Sequence, residues 1–270
     1  MSAPVVGAVL AGGRSGRMGS DKAWLDWHGS TLLERTVAGL RRALTGPVVV
    51  VRSRGQRLPA LPADVLVIDD PAPGRGPLQG LATALAVADA PLVFACSTDL
   101  PLLHPALVRS LLARAQSQPR AEVVLPLVHG RRQHLTAYYR TAAAGRAAEL
   151  VGSGRLAVAD LVEALTAVLI DESELLADPA VAAADPRLES FVNLNTPGDY
   201  TRARALALPT VAVQHPDHPP VLVEAANLAV AAAAVAAGGE GAIRATLDGR
   251  TGVWSPHTPL FAGDTVSFGG

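Results

Sequence analysis

The stretch VVGAVLAGGRSGRMGSDK, Val5 to Lys22, decides how the rest of the chain is read. Its apolar run Val5 to Leu10 stops at Ala11-Gly12-Gly13, the pattern of a buried strand feeding a tight loop. Gly12 and Gly13 carry no Cβ, so backbone N–H groups there can approach a ligand closely. Arg14, Arg17 and Lys22 follow within a short distance, and three cations beside such a loop favour a polyanion, with phosphate the first choice. No Gly-Lys-Ser/Thr follows the glycines, so the loop is not a Walker A. Gly13, Gly16 and Gly19 stand three apart without a Gly-x-Gly pair, so it is not the dinucleotide fingerprint either.

Downstream, AWLDWHG reads as a short extended piece closing in a turn at His28-Gly29. Thr31 and Glu34 form a capping box for a helix with Leu32, Leu33, Val37, Leu40 and Leu44 at helical spacing, ended by Gly46-Pro47. Strands are expected at 48–51, 65–68, 92–96 and 123–127, with helices from Pro77 to about Ala88 and from Pro105 to Gln118. Beyond Gly130 the expectation is a strand at 135–139, a helical region over 141–165, a strand at 167–170 and a last short strand at 191–195. Thr196, Pro197 and Asp199 then open a helix as N-cap, N1 and N3.

Strands alternating with helices at this rhythm predict a three-layer α/β domain of Rossmann-like type, its sheet mostly parallel. In such sheets ligands lie outside the carboxyl ends of the strands. The unusual residues fall there: Gly12 and Gly13 after the first strand, Asp69-Asp70 after the third, Asp99 after the fourth.

Totals narrow the possibilities. Of 270 residues 49% are hydrophobic and 17% charged, enough apolar sequence for a large core. A net charge of −1 argues against broad electrostatic binding of nucleic acid. Cys96, the single cysteine, excludes an internal disulfide, fits a reducing cytoplasm and reads as a buried thiol. No apolar run reaches the length of a signal peptide core or a membrane span, so a cytoplasmic protein is expected. His104, His129 and His134 are dispersed without metal-ligand spacing, and no motif suggests a Ser/His/Asp arrangement.

Taken as a string, LAGGRSGRMGSDK resembles the signature loop of nucleotide-sugar-type nucleotidyltransferases, in particular the molybdenum cofactor guanylyltransferases. The segment Ser97-Thr98-Asp99-Leu100-Pro101 resembles the family's metal-binding aspartate motif, GRGPLQG its GPLxG element beside the base and sugar, and Asn193-Leu194-Asn195-Thr196-Pro197 its closing N-x-N-T-P run. The resemblance spans about Val5 to Leu206. It implies transfer of GMP from GTP to the molybdopterin-bound cofactor with release of pyrophosphate. It assigns nucleotide contacts to Leu10, Ala11, Gly12, Gly13, Arg17, Lys22, Asp70, Gly76, Gly80 and Asp99. Lys22 and Asp99 would be the catalytic pair, Asp99 the ligand of Mg²⁺, and Asn193 and Asn195 the contacts to the acceptor; Asn195 and Thr196 equally suit helix capping. Molybdoenzymes or other cofactor-biosynthesis proteins are the implied partners.

Two departures stand out. Thr98 occupies a position where relatives often carry cysteine, and Val51-Arg52-Ser53 lacks the asparagine that some guanylyltransferases use after their second strand. The second leaves the base open: a cytidylyltransferase acting on the same pterin would share the loop and the Asp99 site. A sugar-phosphate nucleotidyltransferase, or a nucleotide-binding scaffold without turnover, would also be compatible with the glycine-rich loop.

Pro209 marks the expected boundary between a transferase domain, 1–208, and a small unit, 209–270. In the latter a strand at 210–214, an alanine-rich helix over 221–237, a hairpin turning at Asp248-Gly249 and a closing strand at 263–268 resemble the ubiquitin-like β-grasp of sulfur carriers, which end in Gly-Gly as here at Gly269-Gly270.

Overall fold

A computed structural model describes residues 4–12, 21–72, 74–235, 237 and 241–269. In chain order, β1 (Val5–Leu10) leads to the small hairpin β2 (Asp26–Trp27) and β3 (Ser30–Thr31), then α1 (Leu32–Ala43), β4 (Val48–Ser53), β5 (Leu66–Asp70) and α2 (Pro77–Val87). Next come β6 (Leu92–Ser97), α3 (Pro105–Ser117), β7 (Val123–Val128), β8 (Arg131–Arg132) and β9 (Thr136–Arg140). The helices α4 (Ala144–Gly152) and α5 (Val158–Glu163) precede β10 (Ala167–Asp171), α6 (Glu172–Leu176), α7 (Pro179–Ala184) and α8 (Pro197–Arg204). The last part holds β11 (Thr210–His215), β12 (His218–Glu224), α9 (Leu228–Ala233), β13 (Ile243–Leu247), β14 (Arg250–Trp254) and β15 (Thr265–Ser267).

The first sheet runs β10-β7-β9-β6-β1-β4-β5, with β8 paired to β7. Its ladders along that order are parallel except around β9, which lies antiparallel between β6 and β7. Alternation along β1 explains the three layers. Val5 and Val9 pack with Leu33, Val37 and Leu40 of α1 and Leu107 and Leu111 of α3. Val6, Ala8 and Leu10 face the other way, onto Leu78, Leu81 and Leu85 of α2 and Leu161 of α5. Both faces of the sheet are thus covered, as expected of parallel strands that read as unbroken valine and leucine runs. The capping boxes at Thr31/Glu34 and Thr196/Asp199 form as the sequence requires.

Four local expectations change. The third strand ends two residues later than expected, so Asp69 and Asp70 are its last residues, in register with Arg52 and Ser53. The helical region 141–165 breaks into a 3₁₀ turn, α4 and α5, because Ser153-Gly154 terminates the first helix. Residues 191–195 form no strand: Leu194 is fully buried and donates one backbone bond to the Asp99 carbonyl (2.9 Å), but no ladder partner lies alongside. The alanine-rich helix is confined to Leu228–Ala233, since Val221 and Val223 pack inward and Leu222 points out, a period-2 pattern that pairs with β11.

The second sheet, β12-β11-β15-β13-β14, has β11 parallel to β15 and all its other pairs antiparallel. With α9 it forms the small α+β unit expected of the tail, turning at Asp248 and Gly249, both at positive φ. Gly270 lies outside the described residues. No helix among the described residues is long and apolar enough to cross a membrane.

Candidate active site

Parallel pairing brings the carboxyl ends of β1, β4, β5 and β6 to one rim, and the polar residues of interest stand along it. Leu10 and Ala11 close β1, nearly buried, and the N–H groups of Ala11 and Gly12 both donate to the Val51 carbonyl (2.8 and 3.2 Å). A Cβ on Gly12 would stand 3.0 Å from the Ser53 backbone nitrogen and 3.1 Å from its Oγ. The glycine is therefore required by the approach of β4 itself. Gly13 and Arg17, with the rest of 13–20, lie outside the described residues.

The chain is described again at Asp21, whose side chain caps the 3₁₀ turn Lys22–Trp24 by accepting from the Ala23 N–H at 3.0 Å. Gln56 spans the mouth of the loop. Its Nε2 donates to the Ala11 carbonyl (3.0 Å) and to Asp21 Oδ2 (2.7 Å), and its Oε1 accepts from the Ser53 N–H. One side chain thus fastens the residues before and after the glycine-rich segment.

Lys22 projects across the rim to Asp99, with Nζ 3.0 Å from Oδ2; the two side chains are 20% and 17% exposed. Asp99 stands two residues past the end of β6, and its Oδ1 accepts from the Ser97 hydroxyl. Lys22 Nζ also reaches Asn195 Oδ1 at 3.5 Å. Residues 77 and 173 positions apart therefore meet at one point, partly open to solvent. Asn193 turns its Nδ2 to the Phe191 carbonyl, and with Asn195 it lines a cleft shared with Arg131, Arg132 and Gln133, which follow β7 in the chain.

Other expected residues stand further out. Asp70, 8% exposed, caps its own turn by accepting from the Ala72 N–H, while Asp69 pairs with Arg52 across the strands (2.7 Å). Gly76 has φ +82° and abuts the Leu156 carbonyl, 3.0 Å from where its Cβ would be. Gly80 faces the sheet, with Leu10 Cδ2 3.5 Å from its Cβ position, so it sets the packing distance of α2. Cys96 is fully buried, and burial pushes its thiol pKa up, which leaves it chemically inert.

Sequence reasoning missed Gln56, Ser97, Arg131 and Arg132. Ser97 carried a signal, a hydroxyl two residues before an aspartate at a strand end. Gln56 carried none, because its role depends on which strands are neighbours.

The model for the MobA-like NTP transferase domain matches residues 7–168. The chain belongs to this family. It is thereby a nucleotidyltransferase, and the second sheet lies beyond the matched residues. Over 173 residues it is 45% identical to the probable molybdenum cofactor guanylyltransferase of Mycobacterium tuberculosis, which covers 62% of this chain and 83% of that one. A protein of the same description from Mycobacterium avium is 39% identical over 184 residues, covering 66% and 91%. Among solved structures, molybdopterin-guanine dinucleotide biosynthesis protein A from Archaeoglobus fulgidus superposes with a TM-score of 0.61 at 23% identity, over 74% of this chain and 96% of that one. At that identity the likeness speaks to the fold, and it agrees with the sheet described above.

Proposed function

We propose that the protein transfers GMP from GTP to the molybdopterin-bound molybdenum cofactor, forming the guanine dinucleotide form and releasing pyrophosphate. Residues 1–208 form the transferase domain and 209–270 a β-grasp-like module. The observation that carries the reading is the meeting of Lys22, Asp99 and Asn195 at the rim beside Gly12. The relatives at 39–45% identity, whose names state this activity, support the choice of substrate.

A terminal phosphate on the acceptor, with its second pKa at roughly 6, is already an anion at neutral pH and needs no general base. An acceptor oxygen bonds to the α-phosphorus of GTP, the bond from that phosphorus to the β-bridging oxygen breaks, and its electron pair leaves with pyrophosphate. The obstacle is the approach of two anions. Lys22 supplies a fixed positive charge that needs no reorganisation as the two anions meet. Asn193 and Asn195 orient the acceptor, with Arg131 and Arg132 lending positive charge to its side of the rim.

The donor set suits one kind of metal. Among the described residues no three His, Cys, Asp or Glu side chains cluster as a metal cage would need. Where Lys22 and Asn195 meet it, Asp99 offers a carboxylate oxygen, which fits Mg²⁺, an ion that takes one or two carboxylates and completes its shell with phosphate oxygens and water. Mg²⁺ supplies charge neutralisation on the triphosphate when bound; Asp99 is the residue to hold it.

Pyrophosphate release measured with GTP and then CTP, in the presence of the pterin acceptor, tests the proposal. GTP-dependent release is expected. Release with CTP alone assigns the site to cytidylyl transfer, and GTP binding without release with either nucleotide removes the catalytic reading.

A further inference from the structure

The segment joining β14 to β15 reaches out of the second sheet and lodges in the first unit. Phe261 is 1% exposed and sits against α1, where a Cβ on Gly39 would be 3.3 Å from its ring. Glycine in mid-helix is unfavourable relative to alanine, and here the missing methyl makes the seat for that ring. Three cationic or aromatic groups surround Phe261: the Arg35 guanidinium 4.6 Å from the ring centre, Arg42 at 5.0 Å, and the His104 ring edge-on at 5.9 Å.

Arg35 links this seat to the rim. It is 5% exposed, and burial, with the nearby Arg42 charge, brings its pKa down to about 10. A buried guanidinium persists only when partners satisfy it. Two of its partners come from the tail, the Leu260 carbonyl (3.2 Å) and the Phe261 face. Its Nε donates to the Pro101 carbonyl, two residues past Asp99. His104 ends the same loop, its ring nitrogen Nε2 3.0 Å from the Ala262 carbonyl and its Nδ1 accepting from Ala106 N–H. A second tie reaches the arm that carries Lys22: Asn227 Nδ2 donates to the His28 carbonyl (2.7 Å), and Gly29 leaves room for it.

We propose that the C-terminal module is a positioning element for the nucleotidyl-transfer site, with Phe261 and Arg35 setting the place of the Leu100–His104 loop and so of Asp99. The proposal rests on the reading of Lys22 and Asp99 given above. Arg35 and Phe261 touch no reacting group; they act through the backbone. The Arg42–Asp264 ion pair and the bond from Arg42 to the Pro259 carbonyl (2.6 Å) hold the segment down beside them.

The test uses the full chain with Phe261→Ala and two measurements. Leu194 N–H bonds to the Asp99 carbonyl and Leu103 N–H to that of Leu100, so exchange of these two amides reports the loop's placement. The expected result is exchange at both faster by tenfold or more, unchanged exchange in β1, and kcat for pyrophosphate release reduced about tenfold or more, the scale of a small misplacement, with KM for GTP within twofold. Unchanged exchange at Leu194 and Leu103 overturns the proposal, whatever the activity. Should Phe261→Ala fail to fold, Gly39→Ala gives the gentler push: the same two amides are expected to exchange two- to threefold faster, and adding Phe261→Leu, which vacates the ring edge, restores them. Equal exchange in Gly39→Ala and wild type overturns the proposal by this route. A wild type that releases pyrophosphate with neither nucleotide refutes the substrate reading, and the amide measurement still decides the coupling.

Discussion

Replacing Asp99 by asparagine separates the chemistry of the rim from its stability. The asparagine keeps the shape of the side chain but loses the charge and one acceptor: the Ser97 hydroxyl donates to Asp99 Oδ1 and Lys22 Nζ to Oδ2, and a single amide oxygen serves one of the two. The pair is partly exposed, at 20% and 17%, so solvent already screens much of it. Exposed pairs contribute about 0.2–1 kcal/mol, and the partial burial of this one puts the loss near the upper end of that range, about 1 kcal/mol. For a domain of about 200 residues that lowers Tm by roughly 2–4 °C. The effect on turnover is of another size. A carboxylate that holds the metal on the triphosphate supports several kcal/mol of charge stabilisation, and losing about 4 kcal/mol of it slows the reaction about a thousandfold. The assay is pyrophosphate release at saturating GTP and Mg²⁺ beside a thermal melt of the same preparation. A variant that melts within about 4 °C of the wild type and retains more than a tenth of the wild-type kcat refutes the metal-holding role of Asp99.

Three further outcomes are expected. Gly12→Ala pushes a methyl to 3.0 Å from the Ser53 backbone nitrogen, which a β-strand cannot yield, so the start of the loop shifts and GTP affinity falls about tenfold or more by titration calorimetry; unchanged affinity removes Gly12 from the nucleotide site. Exchanging both Arg131 and Arg132 for glutamine raises KM for the pterin acceptor about tenfold and leaves KM for GTP within twofold; equal effects on both contradict the assignment of that cleft to the acceptor. Asp264, its pKa raised to about 6 chiefly by burial, stabilises the fold most when protonated, and that contribution disappears as pH rises from about 4 through 6. His104, its pKa lowered mainly by burial, works the other way and loses stability as pH falls below its ordinary value of about 6.5. Asp264→Asn removes only the first contribution, so its Tm drops more on going from pH 7 to pH 5 than the wild type's; a smaller drop in the variant contradicts the raised pKa.

Local signals in this sequence were sufficient for most elements. Valine runs made the parallel strands, the Thr31/Glu34 and Thr196/Asp199 boxes started helices where they stand, and Asp248-Gly249 turned the late hairpin. These features depend on residues within a few positions of one another, so a linear reading reaches them. The glycine after β1 and the aspartate after β6 were legible for the same reason. Tertiary structure alone decided which of these parts met. Strand order brought Lys22 to Asp99 and Asn195 across separations of 77 and 173 residues, and it inserted β9 antiparallel between β6 and β7. It denied residues 191–195 a ladder, and it gave Val221–Glu224 one by laying that segment against β11. The seat of Phe261 against Gly39 belongs to the same category: a glycine in an amphipathic helix has no meaning until the ring that fills its space arrives from 222 residues further along the chain. Backbone pairing and ring packing are settled by partners distant in sequence, and the residues themselves carry no local mark of the partner they will find.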